Sequence, residues 1–176
     1  LGLNPIVDPA SSFVIKSTSS NGSTLDDEDT MLARLGGPSS LFLEPGGCDG
    51  YEVQVVDWPG VAVSRGVLDG GLGVGAYSAG VTALTATSGN TAMLTQPHTS
   101  SNATNNVCSL MVRAEMPTAT SVNFTRGVGL DAGCAIDPMD QIYFERIDFG
   151  PRARVQTFTS SLGAGASTGN VAIAPV

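Results

Sequence analysis

The chain has 176 residues, a formal charge of −8 and a pI near 4.3; with 41% hydrophobic and only 14% charged residues it has enough apolar side chain for a core and too little charge for a disordered polymer. Its 8 basic residues include a single lysine, Lys16, and are scattered, which argues against nucleic acid as a direct partner because phosphate binding needs clustered cations. No run approaches the ~18 consecutive apolar residues of a membrane helix, so no membrane span is expected.

Helical periodicity is nearly absent, and short runs rich in Val, Thr, Phe and Tyr recur between turn signals. Strands are predicted over 12–17, 31–35, 41–44, 51–58, 61–65, 81–87, 91–96, 109–116, 121–125, 142–149, 153–159 and 171–174. Between them lie GGPSS, EPGGCDG, DGGLGVGAYSAG and LGAGASTGN, whose glycines supply backbone angles that strands cannot use. Many short strands at this spacing predict an all-β fold, an antiparallel β-sandwich.

The chain also repeats itself. VQVVDWPGVAVSRG (53–66) returns as FERIDFGPRARVQTF (144–158). MLAR aligns with LMVR at a spacing of 79 (113 − 34), the same spacing that separates Pro38 from Pro117 and Phe13 from Ala92. Asp57 and Trp58 meet Asp148 and Phe149 at a spacing of 91 (148 − 57), and one residue more brings Val63 onto Val155. The extra 12 residues (91 − 79) are placed in the loop 126–140. The reading is a sandwich built from two diverged tandem copies of one β unit, 1–70 and 84–162. A Gly-rich connector, 71–83, joins them, and a tail, 163–176, is a candidate strand donor. In each copy a hairpin is expected to turn at WPG or FGPR, with Trp58 or Phe149 closing the end of a core. Two copies are fewer than a solenoid needs, so the cores are expected to pack together.

Candidate chemistry is sparse. The only histidine, His98, falls in TQPHTSSNATNN, a polar stretch that reads as a solvated loop, and no GxSxG elbow accompanies it. Asp26, Asp27, Glu28 and Asp29 form an oxygen-rich run and are the leading metal candidates, for calcium, although they lack the alternating ligands and glycine of an EF-hand. Asp131, Asp137 and Asp140 are a looser set of the same kind. Paired carboxylates for glycoside hydrolysis would have to face each other across a cleft; Glu52 and Glu145 occupy nearby positions of the repeated strand, but the duplication already accounts for that resemblance. The segment GLGVGAYSAG lacks the Lys and helix of a phosphate loop. Trp58, Tyr51, Tyr77 and Tyr143 could form a sugar platform, with Tyr77 the most exposed candidate, but three of the four lie in predicted strands, where packing is the simpler use.

Cys48, Cys108 and Cys134 have no CxxC spacing, which disfavours zinc. Cys108 and Cys134 are the first-choice disulfide, because the pairing of the flanking strands brings both to one end of a hairpin; Cys48 with Cys134 is the second. Asn21, Asn102 and Asn123 open sequons that a chain this rich in Ser, Thr and Asn produces by chance, and the initial Leu1 is compatible with a processed precursor.

No cofactor and no catalytic constellation emerge, so the chain is not expected to be an enzyme. The expectation is a structural subunit of an extracellular or particle-surface assembly (virion, tail, pilus, filament or surface layer), self-associating through sheet edges and extended ends. The alternative is a secreted carbohydrate-binding or adhesion module stabilised by calcium.

Overall fold

A computed structural model of the chain describes residues 7–19, 31–45, 50–72, 78–98, 111–126 and 139–156. In chain order they form β1 (Ser12–Ser19), β2 (Met31–Gly37), β3 (Ser40–Pro45), β4 (Gly50–Asp57), β5 (Ala62–Leu72), β6 (Ser78–Val81), β7 (Thr91–His98), β8 (Val112–Thr118), β9 (Ser121–Arg126) and β10 (Met139–Asp148), followed by one 3-10 turn (Gly150–Arg152). The molecule is therefore nearly all β, and every pairing among the described residues is antiparallel. The strands make four small sheets rather than the two broad ones of a simple sandwich: β1-β4, β2-β3, β5-β10-β7 and β6-β9-β8. Among the described residues no helix is long and apolar enough to cross a membrane.

β10 is the organising strand. Its sequence, MDQIYFERID, is buried on both faces from Ile142 to Ile147, as a strand covered on both sides should be. Ile142 and Phe144 pack against Val122 and Phe124 of β9, where the rings of Phe124 and Phe144 lie 5.4 Å apart. The opposite face carries Tyr143, Glu145 and Ile147 toward the start of β1. A second core fills the space between β1-β4 and the β2-β3 hairpin, with Val14, Met31, Ala33, Leu35 and Leu41 buried.

The two cores share a plan. β1 meets β4 with Ser12 opposite Asp57, and β7 meets β10 with Thr91 opposite Asp148, which is the same register displaced by 79 and 91. The backbone N–H of Trp58 donates to Ser11 O at 3.1 Å, and that of Phe149 donates to Asn90 O at 3.0 Å, again at 91 and 79. The β2-β3 and β8-β9 hairpins correspond at 81 (122 − 41) rather than the 79 of the Pro38–Pro117 alignment, and each has an irregularity next to its turn. A slip of two residues keeps every side chain on its face, so Ala33 and Leu41 occupy in the first core the places that Ala114 and Val122 occupy around the second.

Several sequence expectations are corrected. β4 and β5 do not form a hairpin: Gly60 takes φ +96° in the turn after Trp58, and Val63 N–H then donates to Ala10 O, which carries the chain past β1 and onto β10. The strand expected at 81–87 lies instead at Ser78–Val81, inside the segment read as a glycine-rich connector. Beyond it Ala83 adopts φ +59°, which an extended strand cannot accommodate, and Leu84 N–H donates to Thr120 O. Residues 153–156 carry no strand, and 157–159 and 171–174 lie outside the described residues. Trp58 closes no core; it is half exposed and meets Phe149 edge to face at 5.4 Å.

Candidate functional site

The polar chemistry of the interior gathers in a seam along β10. Glu145, fully buried, accepts from Val14 N–H at 2.8 Å and from Arg65 Nε at 2.8 Å, and Tyr143 Oη donates to it at 3.4 Å. Arg65 stands opposite Glu145 in the β5–β10 ladder and spends its other nitrogens on backbone: Nη1 donates to Pro9 O at 2.6 Å and Nη2 to Ser12 O. Gln96 of β7 donates from Nε2 to Ala33 O at 2.7 Å and accepts from Ala33 N–H at 2.8 Å, imitating a strand partner for β2. These three side chains close the outer edges of β1 and β2, which would otherwise present unpaired backbone groups inside the molecule.

On the other face of β10, Arg146 is buried and donates to Ser64 Oγ at 3.1 Å, Ala119 O at 3.3 Å and Thr85 O at 2.8 Å, pinning the β8-β9 turn and the 82–90 segment. Burial lowers its pKa, against the attraction of Asp148. Burial is also the main cause of the raised pKa of Tyr143, with the charge of Glu145 adding to it. Glu145 is raised by the same desolvation, opposed by the Val14 N–H and by Arg65. At Asp148, by contrast, burial pushes upward but is outweighed by hydrogen bonds from Ser88 and Gly150 and by Arg146, so its pKa is held low.

Catalysis by a carboxylate needs an oxygen free to meet a substrate, and both oxygens of Glu145 are engaged inside the frame. Glu52, the other acid of the repeated strand, is exposed on β4 in a different sheet, where it accepts from Gln54 Nε2 at 2.7 Å, so the two acids do not flank one cleft. His98 is not a solvated loop residue: it ends β7 opposite Gln141 and is buried, because β7 runs two residues further than its apolar stretch. Asp26, Asp27, Glu28 and Asp29 lie outside the described residues, as do Cys48, Cys108, Cys134, Tyr77, Asp131 and Asp137. Asn123 sits mid-strand in β9, between Gly80 and Glu115. Among the described residues no three His, Cys, Asp or Glu side chains cluster closely enough to hold a metal ion.

An open groove of about 670 Å³ runs along the start of β7 and the length of β8, with Met93, Ala114 and Glu115 in its wall and Val155 at its rim. Thr91, also in the wall, is buried and its hydroxyl has no hydrogen-bond partner. Arg113 and Glu115 form an exposed ion pair there at 3.1 Å.

Sequence reading missed Arg65, Gln96 and Arg146. The signal for Arg146 was present: a Glu-Arg pair in the middle of the apolar run IYFERIDF marks a strand buried on both faces, where a charge must find a partner. Gln96 carried no such signal, because a glutamine before a polar stretch looks the same whether it faces water or a strand edge. Comparison with protein-family models, with curated proteins and with solved structures found no match for the chain.

Proposed function

We propose that the chain is a non-enzymatic structural subunit of an extracellular or particle-surface assembly, built from two diverged copies of one β unit. The observation that carries this reading is the destination of the buried polar groups. Arg65, Gln96, Glu145 and Arg146 all hydrogen-bond to the backbone of neighbouring strands or turns, so the interior chemistry holds layers together. The two-copy reading is supported by the shared register of β1-β4 and β7-β10 and by the matched bonds of Trp58 and Phe149. Small polar residues, an acidic charge and a glycine-rich tail fit a surface setting. A carbohydrate platform is less well supported: Tyr51 and Trp58 are exposed, but Tyr51 is at the start of β4 and Trp58 just past its end, ~20 Å apart at ~3.3 Å per residue, too far for one sugar ring to touch both.

The test compares the full chain with a version lacking 163–176 by light scattering and negative-stain imaging. Filaments, shells or discrete large oligomers are expected for the full chain, and their loss on truncation identifies the tail as strand donor. A monodisperse monomer in both samples overturns assembly and makes a glycan array the next experiment.

A further inference from the structure

The contact between the two halves is one-directional, and this leaves each half with one side of that contact unused. Inside the chain, the Tyr143–Glu145 face of the β5-β10-β7 sheet caps the outer edges of β1 and β2, through Glu145 to Val14 N–H and Gln96 to Ala33. The corresponding edges of the second half begin at Met93 and Ala114, which stand at the displacements of 79 (93 − 14) and 81 (114 − 33) from Val14 and Ala33. Both residues line the open groove of about 670 Å³, beside the unpartnered hydroxyl of Thr91. By the shared register the Met93 N–H points away from β10, as the Val14 N–H points away from β4. Among the described residues no strand pairs with that edge of β7.

The capping surface has its own open counterpart. At a displacement of 91 (145 − 54), Gln54 stands where Glu145 stands, and Glu52 stands where Tyr143 stands. Ile15, directly opposite Gln54 on the same face, corresponds to Leu94 and is 43% exposed. Gln54 and Glu52 are both exposed, and Gln54 Nε2 donates to Glu52 Oε1 at 2.7 Å, opposite in direction to the Tyr143–Glu145 bond but leaving the side-chain oxygens able to accept further hydrogen bonds. A contact in which two different surfaces meet does not close on itself when repeated; it propagates head to tail.

We propose that a second copy of this chain fills the groove, with its Ile15–Glu52–Gln54 face against the outer edges of β7 and β8, placed as the Tyr143–Glu145 face sits against β1 and β2 within one molecule, with Ser17 (96 − 79) in the place of Gln96. The partner is identified by its chemistry: an apolar residue flanked by hydrogen-bond acceptors suited to backbone N–H groups at the open edge of β7. This rests on the assembly and two-copy readings above, and it names one pair of surfaces that assembly uses beside the tail.

The experiment is sedimentation velocity across a concentration series on the full chain, on Ile15→Arg, which spoils the face, and on Glu115→Arg, which puts a second cation beside Arg113 in the groove wall. Wild type is expected to give dimers, trimers and longer species as concentration rises, and each variant alone to stay monomeric. An equimolar mixture of the two variants retains one intact face and one intact groove, so it should yield a one-to-one dimer and nothing longer. Variants that assemble as wild type does, or a mixture that gives no dimer, overturn this interface while assembly itself stands. A wild type that stays monomeric at every concentration overturns the assembly reading with it. Far-UV circular dichroism and melting confirm that both variants fold, and Ile15→Ser with Arg113→Glu replaces any that does not.

Discussion

Glu145 is the residue on which the seam depends most. Removing its carboxylate in Glu145→Ala leaves the Val14 N–H and the Arg65 guanidinium without their partner inside the molecule. Breaking a buried pair from one side costs about 3–5 kcal/mol, which urea titration of variant and wild type will read directly. The milder Glu145→Gln change tests its protonation. Because burial raises this pKa above its ordinary 4.5, the folded chain holds the proton more tightly than the unfolded chain does. Wild-type stability is therefore expected to fall relative to Glu145→Gln as pH rises from about 4.5 through the raised folded value, and then to level off. A wild-type advantage that grows over that range would show instead that Arg65 and the Val14 N–H favour the ionised form. Part of this site was legible beforehand. Glu145 and Arg146 announce themselves as adjacent charges in an apolar run, whereas the roles of Arg65 and Gln96 depend on β5 and β7 both lying beside β10, a non-local pairing that local composition does not encode.

At the scale of the element, the strands follow from apolar or alternating runs and turn residues, and most of their positions are readable: β1, β2, β4, β7 and β9 begin within one residue of where such runs follow glycine or polar clusters. What composition does not settle is which strand each one joins. WPG looks like a hairpin turn, yet β5 leaves β4 and pairs with β10, and one glycine of β5 is what that pairing has room for. Gly66 lies directly opposite Phe144, whose ring occupies the space a side chain would need; a Cβ at Gly66 would stand 2.3 Å from Phe144 Cζ. Gly66→Ala should therefore cost about 1–3 kcal/mol through overpacking, and the double change with Phe144→Leu should recover part of that loss in the same unfolding measurement. The edge of β2 makes a separate prediction. Gln96→Leu strips both hydrogen bonds from Ala33, each buried group left unpaired costing about 1–3 kcal/mol, so the Ala33 amide should exchange with solvent faster than its neighbours in β2. Unchanged exchange at Ala33 would mean that the edge finds another partner and that Gln96 is not its cap.

At the scale of the whole molecule, two cores of similar plan could behave as two independent domains, and the connections between them decide whether they do. β5, which follows directly from the β4 turn, supplies an edge strand to the sheet of the second core, and Leu72 at its end is buried in that core. Arg65 on that strand, with Glu145 and Gln96 from the sheet it joins, holds the backbone of β1 and β2. Opening either core therefore exposes unpaired edges belonging to the other, and the cost of those edges couples the two. The expected result is one cooperative transition in urea or heat rather than two. Leu41→Ala, in the core between β2-β3 and β1-β4, and Phe124→Ala, in the core under β10, should each move that single transition, by about 2–5 and 3–5 kcal/mol respectively. Fluorescence of Trp58, which touches Phe149 across the two halves, should report the same midpoint as circular dichroism for both variants. If Leu41→Ala instead split the transition and left a second one at its wild-type position, the seam would be too weak to join the halves. The contact proposed between molecules, which copies that seam, would then be expected to be weak as well.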